Sequence, residues 1–298
     1  VAYADRPREW EAWDIDEDYA AEGEELPSGS VEVVEEGPLR ASVRVERRWR
    51  NSRVVQLYRL LAGSRRLDVE TEIDWHERRV LLRALFPLAV RSHEATFETM
   101  YGAVRRPTHR NTSWDAARFE VVAHRWADLS EPGYGVALLN DGRYGHSALD
   151  NVLGISLVRG PLYPDPLADE GVHRFTYSLL PHPGDWTEAG VVEEAFALGS
   201  PLVAVEGSPR GAGGFLEAGG VRLALGALKR AEDGEGLILR LYEPHGARGR
   251  STLRFGDPPV RVRRTNLLEE PGEELGVEDG AVCLEVRPFE VVSLLVEP

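Results

Sequence analysis

Apolar and charged residues alternate along much of the chain. Ala41, Val43 and Val45 are interleaved with Arg44 and Glu46, and Leu67, Val69, Thr71, Ile73 and Trp75 with Asp68, Glu70, Glu72 and Asp74. Successive side chains of an extended chain point to opposite faces, so a period of two predicts strands with one face buried and one in water, as in antiparallel sheets. Residues 54–61, followed by Gly63 and Ser64, predict a further strand and turn. Residues 81–90 are more continuously apolar and predict a strand covered on both faces, as two stacked sheets require. Residues 135–139 run into Asn140-Asp141-Gly142, a turn signal, and residues 153–158 and 173–179 predict two more strands. Between them, Pro161, Pro164 and Pro166 fix the backbone and remove donors, so residues 161–171 are expected as an irregular, presented loop. No helix of ordinary length is predicted.

From Leu202 onward the strands shorten and glycines punctuate them. Residues 202–205, 221–225, 237–242, 260–262, 281–286 and 291–296 predict a smaller β-sandwich. The expected architecture is all-β: a large antiparallel sandwich over residues 1–201 and a small one over 202–298. Gly211-Ala212-Gly213-Gly214 lacks the spacing of a phosphate loop and reads as a hairpin turn.

Composition narrows the partners. A net charge of −15 repels phosphate backbones and argues against nucleic acid. No apolar run approaches the roughly 18 residues of a membrane span, and no leader pattern is seen, so a cytoplasmic protein is expected. Cys283 is the lone cysteine and sits in an alternating run, which predicts a buried, inert thiol. Residues 1–36 are strongly acidic and read as a solvated loop, with Trp10, Trp13 and Tyr19 anchoring it on the core or meeting a sugar face.

The side chains suited to polar ligands crowd into residues 106–120. Arg106, His109, Arg110 and Asn111 supply hydrogen-bonding groups, and Trp114 supplies a ring for a pyranose face, while Arg106, Asp115 and Arg118 are equally suited to a structural salt-bridge network. Asn111-Thr112-Ser113 is a glycosylation sequon, read as accidental without a leader. A second cluster, Asp165, Asp169, Glu170 and His173, offers oxygen and nitrogen donors in one loop, although aspartate beside proline also simply forms turns. No metal is assigned to it.

Four blocks then carry a resemblance: RPREWEAWDID at 6–16, RPTHRNTSWDAARFE with HRWADLSE at 106–131, RGPLYPDPLADEGVH at 159–173 and ALKRAEDGEGLILRLYEPHG at 227–246. In this order they resemble the C-terminal β-sandwich region of the α-mannosidases of glycoside hydrolase family 38. The resemblance implies a large sandwich like that of galactose mutarotases followed by a small one. It also implies that the nucleophile and the catalytic zinc belong to an N-terminal barrel, so this chain carries neither a catalytic residue nor a cofactor. The partners implied are that catalytic domain and a mannose-containing glycan, with the loops at 108–115 and 165–173 bordering the mannose pocket. Arg106, His109, Arg110, Asn111, Trp114, Asp165, Asp169 and His173 are the sugar-binding or interdomain candidates. The family pattern has further strands before the first block, which implies an open sheet edge and association into a homo-oligomer. Two alternatives stand beside this reading. One is a carbohydrate-binding or assembly module with Trp10, Trp114 or Trp126 exposed. The other is an aldose epimerase, needing a histidine acid, for which His93, His146, His173 and His182 qualify by residue type, and a carboxylate base.

Overall fold

The computed structural model describes residues 1–207 and 214–297. Two compact units emerge, Val1–Glu98 with Val104–Pro201, and Thr99–Ala103 with Leu202–Pro298. The first holds strands β1 (Ala2–Ala4), β2 (Gly23–Glu24), β3 (Ser30–Glu36), β4 (Arg40–Trp49), β5 (Ser52–Leu61), β6 (Leu67–Trp75), β7 (Val80–Pro87), β8 (Glu94–Thr99), β9 (Gly102–Pro107), β10 (Val121–Val122), β11 (Trp126–Glu131), β12 (Tyr134–Asn140), β13 (Gly145–Leu149), β14 (Val152–Arg159) and β15 (Gly171–Pro183). They form a nine-stranded sheet in the order β3-β4-β5-β6-β15-β12-β11-β8-β9 and a six-stranded sheet in the order β10-β13-β14-β7-β1-β2.

The alternation read in the sequence is the alternation that packs. Val69, Thr71, Ile73 and Trp75 of β6 are buried, whereas Asp68, Glu70, Glu72 and Asp74 between them are only half-buried. The inner faces join in one core in which Ile73, Trp75, Phe97, Leu129, Leu138, Leu153 and Ile155 meet and the Trp49 and Trp75 rings stack at 6.1 Å. The apolar run from 81 becomes β7, which Pro87 closes, flanked by β14 on one side and β1 on the other. The proline-rich loop is irregular as expected.

Several expectations are corrected. Residues 1–36 are not simply a solvated loop: Ala2 and Tyr3 are buried in β1, inside the six-stranded sheet, and Ser30–Glu36 forms the edge strand of the nine-stranded one. Trp10 and Trp13 are 68% and 66% exposed, so they anchor nothing in the core, and Tyr19 alone does so, with its ring 5.3 Å from that of Tyr3. Trp126 is buried beside Trp186, ring centroids 4.7 Å apart, and is no surface platform. Besides the single turn α1 (Ser113–Ala116), two short helices, α2 (Trp186–Ala189) and α3 (Val191–Gly199), close the first unit. Asp185 caps α2 by accepting the Thr187 N–H at 2.8 Å, and α3 buries Val191, Val192 and Ala195.

The second unit contains β16 (Leu216–Gly220), β17 (Ala224–Arg230), β18 (Leu237–Tyr242), β19 (Gly249–Phe255), β20 (Arg261–Thr265), β21 (Pro271–Leu275), β22 (Ala281–Val286) and β23 (Val291–Glu297). Sheets β16-β19-β22 and β17-β18-β23-β20-β21 enclose Leu239, Leu253, Val262, Val282, Leu284 and Leu294. The turn at Thr99–Ala103 belongs here, its Tyr101 ring 5.3 Å from Tyr242. Residues 202–205 form no strand and are exposed, and residues 221–223 separate β16 from β17 instead of forming one strand with 224–225. Cys283 is exposed rather than buried, because Val282, Leu284 and Val286 take the inner face of β22 and the alternation turns the thiol outward. The expected hairpin at Gly211-Ala212-Gly213 lies outside the described residues. Among those described, no helix is long and apolar enough to cross a membrane.

Candidate functional site

A cavity of about 450 Å³ in the first unit gathers residues from three of the four sequence blocks. Ile15 comes from the first, Glu120 from the second, and Arg159 and Asp169 from the third, joined by Leu81, Arg143, Tyr144 and Ser156.

Glu120 is held rather than free. Its Oε1 accepts the Tyr19 hydroxyl at 2.5 Å and pairs with Arg83, whose Nη2 donates to Ser147 Oγ at 2.8 Å. The Arg83 side chain is 3% exposed. Burial pushes the Glu120 carboxyl above its ordinary range against the opposing pull of Arg83, and burial also raises the Tyr19 phenol.

Arg159 ties two segments to β14. Its guanidinium pairs with Asp5, which is 1% exposed, through Nη2 and Oδ1 at 3.0 Å. It also donates to the carbonyls of Ala12 and Asp14, and its backbone N–H donates to Asp169 Oδ2 at 3.1 Å. The Trp10–Asp14 turn is thereby fixed, with the N–H groups of Trp13 and Asp14 both donating to Trp10 O and Glu11 bound to Arg79 at 2.8 Å. On this support Trp13 and Tyr163, 66% and 64% exposed, set their rings edge to face at 6.3 Å.

Arg143 differs from these arginines. The turn before it is rigid, because Asn140 Oδ1 accepts the N–H groups of Gly142 and Arg143 at 2.9 and 2.7 Å. The guanidinium lies over the Phe175 ring, 4.1 Å from its centroid. Its Nε is buried without a hydrogen-bond partner, and no carboxylate pairs with it among the described residues. Burial lowers its pKa from the ordinary arginine value.

The candidate residues at 106–118 lie apart from this cavity. Thr112 and Asp115 form a reciprocal cap on α1: Thr112 Oγ1 accepts the Asp115 N–H and Asp115 Oδ2 accepts the Thr112 N–H, both at 3.2 Å. His109 Nδ1 accepts the Asn111 N–H at 3.4 Å and stands 3.6 Å from Asp115. The expected network of Arg106, Asp115 and Arg118 does not form, since the aspartate serves the cap. The Arg106 Nε is buried without a partner, and burial with the nearby Arg118 charge lowers its pKa. Arg110 is exposed, as is Trp114 at 76%.

In the second loop, Asp165 Oδ1 accepts the Leu167 N–H at 2.9 Å, a turn contact, and His173 Nε2 donates to Asp169 O at 2.8 Å. Of the eight sequence candidates only Asp169 lines the cavity. No group of three or more metal-ligating side chains is found among the described residues. The other histidines do not converge. His146 is buried beside Asn140, His182 binds Asp128 at 2.7 Å in the interior, and His93 is exposed. Arg143 escaped the sequence reading; its one local signal was its place directly after an Asn-Asp-Gly turn.

Residues 1–167 match the family model described as the glycosyl hydrolases family 38 C-terminal domain, and residues 222–294 that of the family 38 C-terminal beta sandwich domain. Human alpha-mannosidase 2C1 is 40% identical over 312 residues, covering 99% of this chain and 29% of the relative. Alpha-mannosidase G of Dictyostelium discoideum is 35% identical over 299 residues, covering 95% of the chain and 27% of its own length. The crystal structure of an alpha-mannosidase from Enterococcus faecalis V583 shares the fold at a TM-score of 0.75 and 19% identity, over 91% of this chain and 35% of that one. The chain thus spans less than a third of the length of the curated relatives it matches. Its two β-sandwich units, built on the four ordered blocks, belong to glycoside hydrolase family 38, whose C-terminal domains they match.

Proposed function

We propose that the chain is a non-catalytic part of an enzyme that hydrolyses terminal α-D-mannosides, packing on a catalytic domain and bordering its active site. The observation that carries this is one of proportion: 99% of the chain aligns with human alpha-mannosidase 2C1 but only 29% of that relative is covered. Glycoside hydrolysis generally needs two carboxyl groups facing each other across the scissile bond. Here Glu120 is engaged by Arg83 and Tyr19, and Asp169 Oδ2 accepts the Arg159 backbone N–H.

On this reading the Trp10–Asp14 turn and the proline-rich loop, pinned together by Arg159, present the surface that borders the substrate. The open edge of β3, where Val31 and Val33 are 68% and 56% exposed, is the surface for association, with the catalytic domain or a second copy. The test is hydrolysis of an aryl α-mannoside by the purified chain, with and without zinc, and with the catalytic segment of a family 38 enzyme supplied in trans. No turnover alone but turnover on complementation is expected. Zinc-dependent turnover by this chain alone would overturn the reading.

A further inference from the structure

We infer that the cavity beside Arg143 is a saccharide subsite of the chain itself, which holds a neutral pyranose between the Arg143 guanidinium and the Asp169 carboxylate, with Trp13 and Tyr163 as an aromatic lip. The choice of mannose as the sugar rests on the proposed function; the subsite rests on the geometry.

Arg143 is the donor. Of the two arginines lining the cavity, Arg143 is the one without a carboxylate partner. Arg83, Arg125, Arg159 and Arg174 each have one. The Arg143 Nε is shielded from water without a hydrogen-bond partner, which costs solvation that the more distant Asp169 and Asp141 charges oppose. Phe175 lies under the guanidinium and the Asn140 turn fixes its backbone, so the side chain is positioned before any ligand arrives.

Asp169 is the acceptor: its Oδ2 takes the Arg159 N–H, and Oδ1 is left for a ligand hydroxyl. The charges lining the cavity cancel. Arg159 is neutralised by Asp5 and Glu120 by Arg83, and Arg143 and Asp169 remain as one positive and one negative group. A phosphate or carboxylate would gain from the first and be repelled by the second, whereas vicinal hydroxyls, which both donate and accept, satisfy both. The volume of about 450 Å³ falls in the usual small-molecule range of roughly 300–1,000 Å³. The lip supplies what a pyranose C–H face needs. Trp13 is two residues from Ile15 of the cavity wall, on a turn whose carbonyls Arg159 holds, and its ring meets that of Tyr163.

The experiment is titration calorimetry of the 298-residue chain with methyl α-D-mannopyranoside, methyl α-D-glucopyranoside and inorganic phosphate. Mannoside binding is expected with a dissociation constant on the order of 1 mM, the weak regime of a small, hydrated ligand. Arg143→Met should weaken it about tenfold or more, the effect of losing a hydrogen bond from a charged group, and Trp13→Ala should weaken it less. Trp114→Ala, outside the cavity, should leave it unchanged. Near-ultraviolet circular dichroism checks folding, and where Arg143→Met does not fold, Asp169→Asn and Trp13→Ala carry the test. Sugar binding with no preference for the mannoside supports the subsite while counting against the mannosidase reading. No saturable binding of either sugar, binding that neither Arg143→Met nor Asp169→Asn weakens, or tighter binding of phosphate than of sugar would overturn the subsite and leave the complementation assay to judge the proposed function.

Discussion

Acidification should weaken the first unit through His146. This residue is fully buried on β13, with Nε2 3.1 Å from Arg143 O and 3.3 Å from Asn140 Nδ2. The Arg143 carbonyl can only accept, so the neutral ring carries its proton on Nε2 and donates to it. Nδ1 has no partner, and a second proton there would be a buried charge with the Arg83 cation nearby. Burial, assisted by Arg83, therefore pushes the imidazole pKa down from 6.5 to about 4. An unfolded histidine keeps the ordinary value, so between about pH 6.5 and 4 the unfolded chain binds a proton that the folded chain refuses. Stability is lost as pH falls through that window and levels off below it. At 1.36 kcal/mol per unit of pKa the loss is about 3 kcal/mol, a large share of the 5–15 kcal/mol typical of a whole protein. Urea unfolding followed by tryptophan fluorescence isolates the effect, because all seven tryptophans lie in the first unit. His146→Gln removes the titration and keeps an amide donor for the Arg143 carbonyl. Between pH 7 and 4 the wild type should lose about 3 kcal/mol more than the variant. Parallel stability curves would show that His146 is not held neutral and would refute the assignment of its proton.

Two further outcomes test the packing. Gly135→Ala should destabilise the first unit by roughly 2–3 kcal/mol, because a Cβ there would lie 2.2 Å from Ser130 Oγ and 2.5 Å from His182 Cε1, both bound to the buried Asp128. An unchanged melting temperature by scanning calorimetry would contradict this. Cys283 should take up one equivalent of a maleimide in the native protein, since its thiol stands on the outer face of β22; a requirement for denaturant, read by intact mass, would place the thiol inside.

Much of the fold was legible because strands half-buried in a sandwich write their own period. β6, β18, β22 and β23 lie where alternation put them, to within a residue. Where reading failed, the deciding partner was distant in sequence. Ala2-Tyr3-Ala4 is too short to show a period, and it is a strand because β7 and β2 pair with it. Residues 202–205 are apolar and β-prone but have no partner strand, and propensity without pairing makes no sheet. Trp10 and Trp126 look alike in sequence; only the second meets Trp186, which α2 carries inward from 60 residues further along the chain.

The candidate site was less legible for a related reason. Residues 106–120 drew attention because hydrogen-bonding groups are dense there, but several of those groups satisfy one another. Thr112 and Asp115 cap α1, His109 takes a neighbouring N–H, and Glu120 is consumed by Arg83 and Tyr19. In the fourth block, Glu243 is fully buried and accepts the N–H groups of His245, Gly246 and Phe289, so it also holds a turn. Family blocks of this kind mark positions that fix loops, because a carboxylate binding several backbone donors tolerates few replacements. A ligand needs the opposite: a polar group for which the protein has built a place but no partner. Arg143 meets that condition, and being unpartnered is a property of the assembled structure that no spacing of residues can display.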